Sequence, residues 1–242
     1  MKALVTGGGG FLGGAIVRRL VDRGWTVHTL QRGIYPKLDE LGVEQLQGDI
    51  AEPDTVSRAV EGCDIVFHVA AKVEPWGAFK PFHQTNVIGT ENVLEAMRIN
   101  GVPKLVFTST PSVIHKKGDL AGVDESEPYP AHFDAAYPQT KAIAEIAVLA
   151  ANDAALSTIA LRPRLIWGPE DGNLVPQLVA RARAGLIRLE LIAYRAPLTQ
   201  VLALDRPPPP TPAPAPPRPA NAEQARAHLR RLRHYLTGSI DS

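Results

Sequence analysis

Cysteine is all but missing from this chain of 242 residues, where Cys63 stands alone. A lone thiol excludes a disulfide framework and any cysteine-built metal cluster, and it fits a reducing compartment. A charge excess of either sign is missing too. Lysine and arginine number 26 against 25 acidic residues, a formal net charge of +1, so no global field points to nucleic acid or an acidic partner. Long apolar runs are also lacking. No stretch of 18 apolar residues exists to span a membrane, and the opening MKALVTGGGGFLGG has too short an apolar run for a secretory signal. The expectation is a soluble, cytoplasmic protein. With 45% apolar residues, the chain is long enough for one sizeable core and a small second unit. Proline is spread unevenly, nine of 22 falling between positions 207 and 219. The chain is therefore not uniform.

What is present is an alternating pattern. Lys2–Thr6, Thr26–Leu30, Val43–Gln47, Asp64–Ala70, Lys104–Ser109 and Thr158–Leu161 read as strands. Between them, apolar residues recur at helical spacing from Phe11 towards Gly24, over Pro53–Val60, from about Phe79 to Ile99, and over Tyr137–Ala150. A last helix is expected over Leu174–Ala184. Parallel strands need right-handed crossovers, so residues 1–188 predict an α/β domain, a doubly wound parallel sheet with helices on both faces. After about Arg188 this grammar fails. The segment 207–219 reads as an extended proline-rich linker, and 221–236 as a basic helix without a visible partner. Residues 189–242 form a tail set apart from the domain.

The first strand runs into Gly7-Gly8-Gly9-Gly10-Phe11-Leu12-Gly13 and then opens a helix. Gly7 suits the tight turn, Gly10 lets backbone approach a pyrophosphate, and Gly13 lets helix and strand pack closely. The free N–H groups and positive end of the helix would hold the phosphates. At the end of the second strand, where an acidic residue would repel a 2′-phosphate, the chain has Gln31-Arg32. Arg32 offers a charge-assisted partner for that phosphate, or is a solvated surface charge. NADP(H) is favoured, with NAD(H) as the alternative. Asp49, after the third strand, either accepts from the adenine amino group or serves as a turn residue.

Tyr137 and Lys141 lie four residues apart, on one face of a helix. A nearby cation stabilises tyrosinate and draws the phenol towards the working range for acid–base catalysis. Lysine can also hold nicotinamide ribose hydroxyls. The fifth strand ends in Thr108-Ser109-Thr110-Pro111-Ser112, four hydroxyls from which a partner for the substrate oxygen must come. His68, His83, His115 and His132 show no metal-ligand spacing, so no metal site is expected. Trp76 and Trp167 read either as walls of a substrate pocket or as core anchors.

Together these motifs resemble the extended short-chain dehydrogenase/reductase family. They comprise the run from Gly7 to Gly13, Gly48-Asp49-Ile50, His68-Val69-Ala70-Ala71, Thr108-Ser109-Thr110, Tyr137 with Lys141, and Leu161-Arg162-Pro163. Phe67-His68-Val69-Ala70-Ala71, the stretch Thr85 to Val93, and Ile166-Trp167-Gly168-Pro169 bring it nearest the 3β-hydroxysteroid dehydrogenase group. The resemblance implies a Rossmann-type NAD(P)-binding domain. It also implies an oxidoreductase that interconverts a 3-oxo and a 3-hydroxy group on a bulky apolar small molecule, either sterol-like or a long-chain 2-alkyl-3-oxo acid. A sugar epimerase or dehydratase activity, or a cofactor-binding remnant without turnover, are the alternatives. Tyr137 would be the acid–base group, Lys141 its tuning cation, and Thr110 the hydroxyl in the family's serine position, with Ser109 the alternative one residue back. Phe11, Leu12, Ile50, Ala70, Ala71 and Pro163 would line the cofactor, Asn86 would support the network, and the helices flanking the site would form a homodimer. The tail does not resemble the family's substrate-covering domain. It reads as a frameshifted or truncated ending, expected to leave a sheet edge and apolar surface uncovered.

Overall fold

The computed structural model describes residues 1–74, 76–115, 122–168, 170–172 and 174–184. Six strands, β1 (Lys2–Thr6), β2 (Thr26–Gln31), β3 (Glu44–Gln47), β4 (Ile65–His68), β5 (Lys104–Thr108) and β6 (Ser157–Leu161), form one sheet. Their order is β3-β2-β1-β4-β5-β6, and every pairing is parallel. The direction of chain travel reverses between β1 and β4, and ligands of such sheets bind at the carboxyl ends of the strands beside that switch point. The register Thr6↔Leu30 and Thr6↔His68 puts three strand ends level there.

The helices are α1 (Phe11–Val21), α2 (Pro36–Asp39), α3 (Pro53–Val60), α4 (Phe79–Phe82), α5 (Gly89–Ile99), α6 (Ala136–Ala150) and α7 (Leu174–Arg183). Alternation along β1 divides the core. Ala3 and Val5 face Val17 and Leu20 of α1, whereas Leu4 joins Val56 of α3, Val93 and Met97 of α5, and Val148 of α6. Each fully buried Val or Leu contributes about 1.5–3 kcal/mol of apolar transfer, so both faces are anchored. β6 lies at the sheet edge, where Ile159 and Leu161 are half exposed.

Three departures from the periodicity have physical causes. The helix expected from Phe79 to Ile99 is a composite, because a π-helical segment, His83–Ile88, separates α4 from α5. A wider turn changes which side chains share a face, which a 3.6-residue period does not register. The strand expected over Asp64–Ala70 stops at His68, since the N–H groups of Val69 and Ala70 both donate to Thr6 Oγ1, at 3.1 Å each, and leave the ladder. The short helix α2, started by Pro36 in its first turn, had no apolar repeat to announce it.

Met1–Ile166 belongs to one compact unit, and Trp167 opens a second whose described residues include α7. Pro176 stands in the first turn of α7, where its missing N–H disrupts nothing. The linker over 207–219 and the helix over 221–236 lie outside the described residues. Among the described residues no helix is long and apolar enough to cross a membrane.

Candidate active site

The turn after β1 is built for close approach. Gly7 has φ +72°, donates its N–H to Leu30 O at 2.8 Å, and accepts from Gly10 N–H at 3.0 Å. A Cβ on Gly13 would stand 2.1 Å from the Gly7 carbonyl oxygen, so helix and turn touch backbone to backbone. Helix α1 begins at Gly10 without a side-chain cap. The first-turn N–H groups of Phe11, Leu12 and Gly13 therefore have no intrahelical acceptor and carry the positive end of the helix dipole. Ala70 packs against Gly7, its N and Cα 3.0 Å from where a Gly7 Cβ would be. Ala71 follows it in the same loop, partly buried.

Beside this mouth, Gln31 is 7% exposed and its Oε1 has no hydrogen-bond partner among the described residues. The amide cannot simply turn over. Its Nε2 donates to Gln45 Oε1 at 3.1 Å, and that oxygen also accepts from Tyr35 N–H while Gln45 Nε2 donates to Tyr35 O and Asp39 Oδ1. The free acceptor is held close to Gly8, 3.5 Å from the position of a Cβ there. A buried acceptor left open costs about 1–3 kcal/mol unless a ligand donates to it. Backbone donors at the helix mouth together with this acceptor fit a dinucleotide. Arg32, at the end of β2, is exposed. Asp49 Oδ1 accepts from Ala51 N–H at 2.9 Å, so it serves a local turn. The Ile50 side chain is core, pressed against Gly89, and its carbonyl accepts from Asn92 Nδ2 at 3.0 Å. Only the Ile50 N–H remains for a cofactor.

A buried polar chain leads from the mouth to α6. Thr6 Oγ1 bonds His68 Nδ1 at 2.7 Å, and His68 Nε2 bonds Thr90 Oγ1 at 3.0 Å. Thr90 donates to Asn86 O at 2.7 Å, Asn86 Nδ2 to Thr140 Oγ1 at 3.0 Å, and Thr140 to Ala136 O at 2.8 Å. Because the Thr6 oxygen accepts from two backbone N–H groups, its hydroxyl proton points at Nδ1, which assigns the His68 proton to Nε2. Burial and the Lys141 charge push the His68 pKa down to about 3, so the ring is neutral. His68 is thus a structural connector, and among the described residues no cluster could hold a metal.

On α6, residues one turn apart meet successive residues of the β5 end. Thr110 lies near enough to Tyr137 to favour its ionised form, Lys141 Nζ donates to Thr108 O at 2.7 Å, and Glu145 accepts from Ser109 Oγ. Ser109 is buried and bound to Glu145, whereas Thr110 is half-buried and lies near the phenol. Thr110 Oγ1 also lies 3.0 Å from Ser112 Oγ as it caps the 3₁₀ turn Pro111–Ile114. Burial raises the Tyr137 phenol above its ordinary range, and Thr110 opposes that. The phenol is therefore protonated at neutral pH. Burial draws Lys141 down to about 7, with Glu145 acting the other way. The Lys141 ammonium lies 4.0 Å from the centre of the Phe107 ring.

Glu145 escaped the sequence reading. It is 1% exposed, accepts from Tyr129 Oη at 2.7 Å, and takes Arg162 Nη2 at 2.5 Å and Nε at 3.1 Å. A single carboxylate in the apolar run AIAEIAVLA, four residues past Lys141, was the available signal. Pro163 follows Arg162 in the loop after β6. A cavity of about 500 Å³ opens beside the N-terminus of α6, lined by Ser112, His115, Phe133, Ala135 and Pro138 among others. Trp76 is 77% exposed, so it is no core anchor.

The strand order and this helix-to-strand arrangement define a Rossmann-type oxidoreductase fold of the extended short-chain kind. Residues 4–198 match the 3-beta hydroxysteroid dehydrogenase/isomerase family, and the chain belongs to it. It is 56% identical over 192 residues to a 2-alkyl-3-oxoalkanoate reductase of Stenotrophomonas maltophilia (strain K279a), covering 78% of this chain and 58% of that protein. Identity to the 3 beta-hydroxysteroid dehydrogenase/Delta 5-->4-isomerase of Mycobacterium tuberculosis (strain ATCC 25618 / H37Rv) is 38% over 198 residues, 78% of this chain and 53% of that one. Among solved structures, a Thermus thermophilus UDP-glucose 4-epimerase in complex with NAD matches with a TM-score of 0.65 and 31% identity, over 78% of this chain and 64% of the other. The chain thus spans a little over half the length of the curated relatives it matches.

Proposed function

We propose that this chain acts as a ketoreductase, binding NADP(H) in preference to NAD(H) and reducing the 3-oxo group of a bulky apolar substrate. The observation that carries this reading is that Tyr137 and Lys141 lie one turn apart on α6, with Lys141 Nζ bound to Thr108 O at the carboxyl end of the sheet that also holds the open α1 mouth. Gly7, Gly10, Phe11, Leu12 and Gly13 would hold the pyrophosphate through backbone, and Ala70, Ala71 and Pro163 would flank the ribose and nicotinamide. Gln31 is neutral and so does not repel a 2′-phosphate, for which Arg32 supplies the cation. When bound, the dinucleotide supplies hydride to the substrate carbonyl carbon.

The protein's own task is placement and the proton. Thr110 donates a hydrogen bond to the carbonyl oxygen, and Tyr137, protonated at neutral pH, passes its proton to that oxygen as negative charge develops. Lys141 in its ammonium form favours the tyrosinate left behind. The cavity offers apolar walls at Phe133, Ala135 and Pro138 beside polar ones at Ser112, His115, His132 and Asp134, and the relatedness to a 2-alkyl-3-oxoalkanoate reductase favours a 2-alkyl-3-oxo acid over a sterol. The test is a turnover assay with a long-chain 2-alkyl-3-oxo acid, alongside thermal shift by NADPH and NADH. Oxidation of NADPH, lost in Tyr137→Phe, is the expected result. Stabilisation by cofactor without turnover would leave a binding module and overturn the enzymatic reading.

A further inference from the structure

The buried cluster around Glu145 has a job that packing alone does not require. Of three α6 side chains spaced by four residues, Lys141 and Glu145 bond Thr108 O and Ser109 Oγ, and Tyr137 lies near Thr110. All three partners fall on the segment where the substrate oxygen must be held. Glu145 draws its other partners from two further places, Tyr129 in the loop before α6 and Arg162 just after β6. It therefore pins helix, loop and two strand ends with one carboxylate.

We propose that Glu145 is a positioning residue: it sequesters Ser109 so that Thr110 alone meets Tyr137, and its charge, one turn beyond Lys141, keeps that lysine an ammonium. The two effects have separate physical origins. Sequestration follows from the hydrogen bond, because a buried hydroxyl that already donates to a carboxylate gives nothing up by staying there. Charge control follows from balance. Lys141 is held in an apolar pocket, between the Phe107 ring and the Thr108 carbonyl, where the neutral amine is favoured unless a negative group lies near. Among the described residues, Glu145 is the anion that acts on it. Arg162 opposes it from the end of β6, while Tyr129, Tyr137 and the ring of His68 on β4 are neutral at pH 7. The Glu145–Arg162 pair thus acts as a setting for the lysine, one partner pushing each way.

The proposal rests on the reductase reading for its consequence in turnover, yet it is readable without turnover. The experiment follows Lys141 by ¹³Cε-lysine NMR across pH in the full chain, together with the pH dependence of kcat where NADPH is oxidised. Glu145→Gln keeps the shape and one acceptor oxygen while removing the charge, and the hydroxyl left facing the new amide nitrogen must turn to accept from it. The variant is expected to move the Lys141 titration, and the alkaline limb of kcat, down by roughly one pH unit. Arg162→Gln leaves Glu145 unopposed and is expected to move both upward, and this second variant decides the matter if Glu145→Gln does not fold. A purely structural role would lower stability and scale activity evenly across pH. Lys141 titrations unchanged in both variants overturn the proposal. Opposite shifts in NMR with no turnover even in the parent chain support it and overturn the reductase reading instead.

Discussion

Gly13→Ala probes the cradle most sharply. The added methyl would sit 2.1 Å from the Gly7 oxygen, 2.8 Å from its carbonyl carbon and 3.0 Å from Gly8 Cα, where ordinary contact begins at 3.4 Å. None of those atoms can rotate away, since all are backbone. The start of α1 and the glycine turn must part by roughly 1 Å, an overpacking strain of about 1–3 kcal/mol that lowers the melting temperature by roughly 2–12 °C. The same movement pulls the Phe11, Leu12 and Gly13 N–H groups off a bound pyrophosphate. A displacement of that size weakens NADPH binding by about 100-fold, or ~2.7 kcal/mol. Gly10→Ala supplies the contrast. Its methyl meets only the Gly7 oxygen, at 3.3 Å, and so intrudes on the mouth rather than on packing. Melting without cofactor should barely change while NADPH affinity falls by roughly tenfold or more. Fluorescence titration of NADPH and thermal melts of the cofactor-free variants measure both quantities. If Gly10→Ala binds NADPH as tightly as the parent, the mouth of α1 does not hold the pyrophosphate.

Thr110→Ala is expected to lower kcat by roughly 10²–10³, and Ser109→Ala by less than tenfold; the reverse ranking would show that Ser109 faces the substrate oxygen. Arg32→Ala should weaken NADPH about tenfold and leave NADH unaffected in the same titration, whereas equal weakening of the two would remove the arginine from 2′-phosphate recognition. His68 makes stability depend on acid. Its pKa is about 3 in the fold against 6.5 ordinarily, so the unfolded chain takes the proton first and stability falls as pH drops below 6.5. The slope is about 1.4 kcal/mol per pH unit from this one group, reaching roughly 3 kcal/mol at pH 4.5. Denaturant midpoints of His68→Gln between pH 7 and 4.5 should flatten by that amount, and parallel curves for the two proteins would contradict the linkage.

The inner strands were legible because β1, β4 and β5 are apolar runs, and burial between helices on both faces leaves little freedom in register. The glycine turn was legible for a similar reason, since backbone chemistry there depends on the lack of side chains. Hydrogen bonds that cross between distant segments were not. Nothing in the spacing of Thr6, His68, Thr90, Asn86 and Thr140 shows that they form one chain, because a π-helical segment rotates Asn86 between them. Thr110 was preferred over Ser109 only by the resemblance, since both are hydroxyls at the end of one strand. What separates them is the carboxylate of Glu145, 36 positions later, reached only when α6 packs against the end of β5. That the Ile50 side chain serves the core against Gly89 was likewise invisible, because the packing of α5 on the loop after β3 decides it.

The two halves of the site are therefore made of different materials, and they should tolerate change differently. The mouth of α1 is backbone, so its donors survive most substitutions and fail only where a Cβ intrudes. The face of α6 is side chains whose protonation decides what they do. Burial pulls both groups there towards neutrality, holding Tyr137 as a phenol and drawing Lys141 towards a free amine. For the phenol this is useful, because the acid form is the one a ketone needs. For the lysine it is a liability, because a neutral amine no longer favours the tyrosinate that proton transfer creates. A site that buries both must add an anion near the lysine without adding one near the phenol. Glu145 meets that demand by lying one turn beyond Lys141 and two beyond Tyr137 along α6, with Arg162 limiting how far its field reaches.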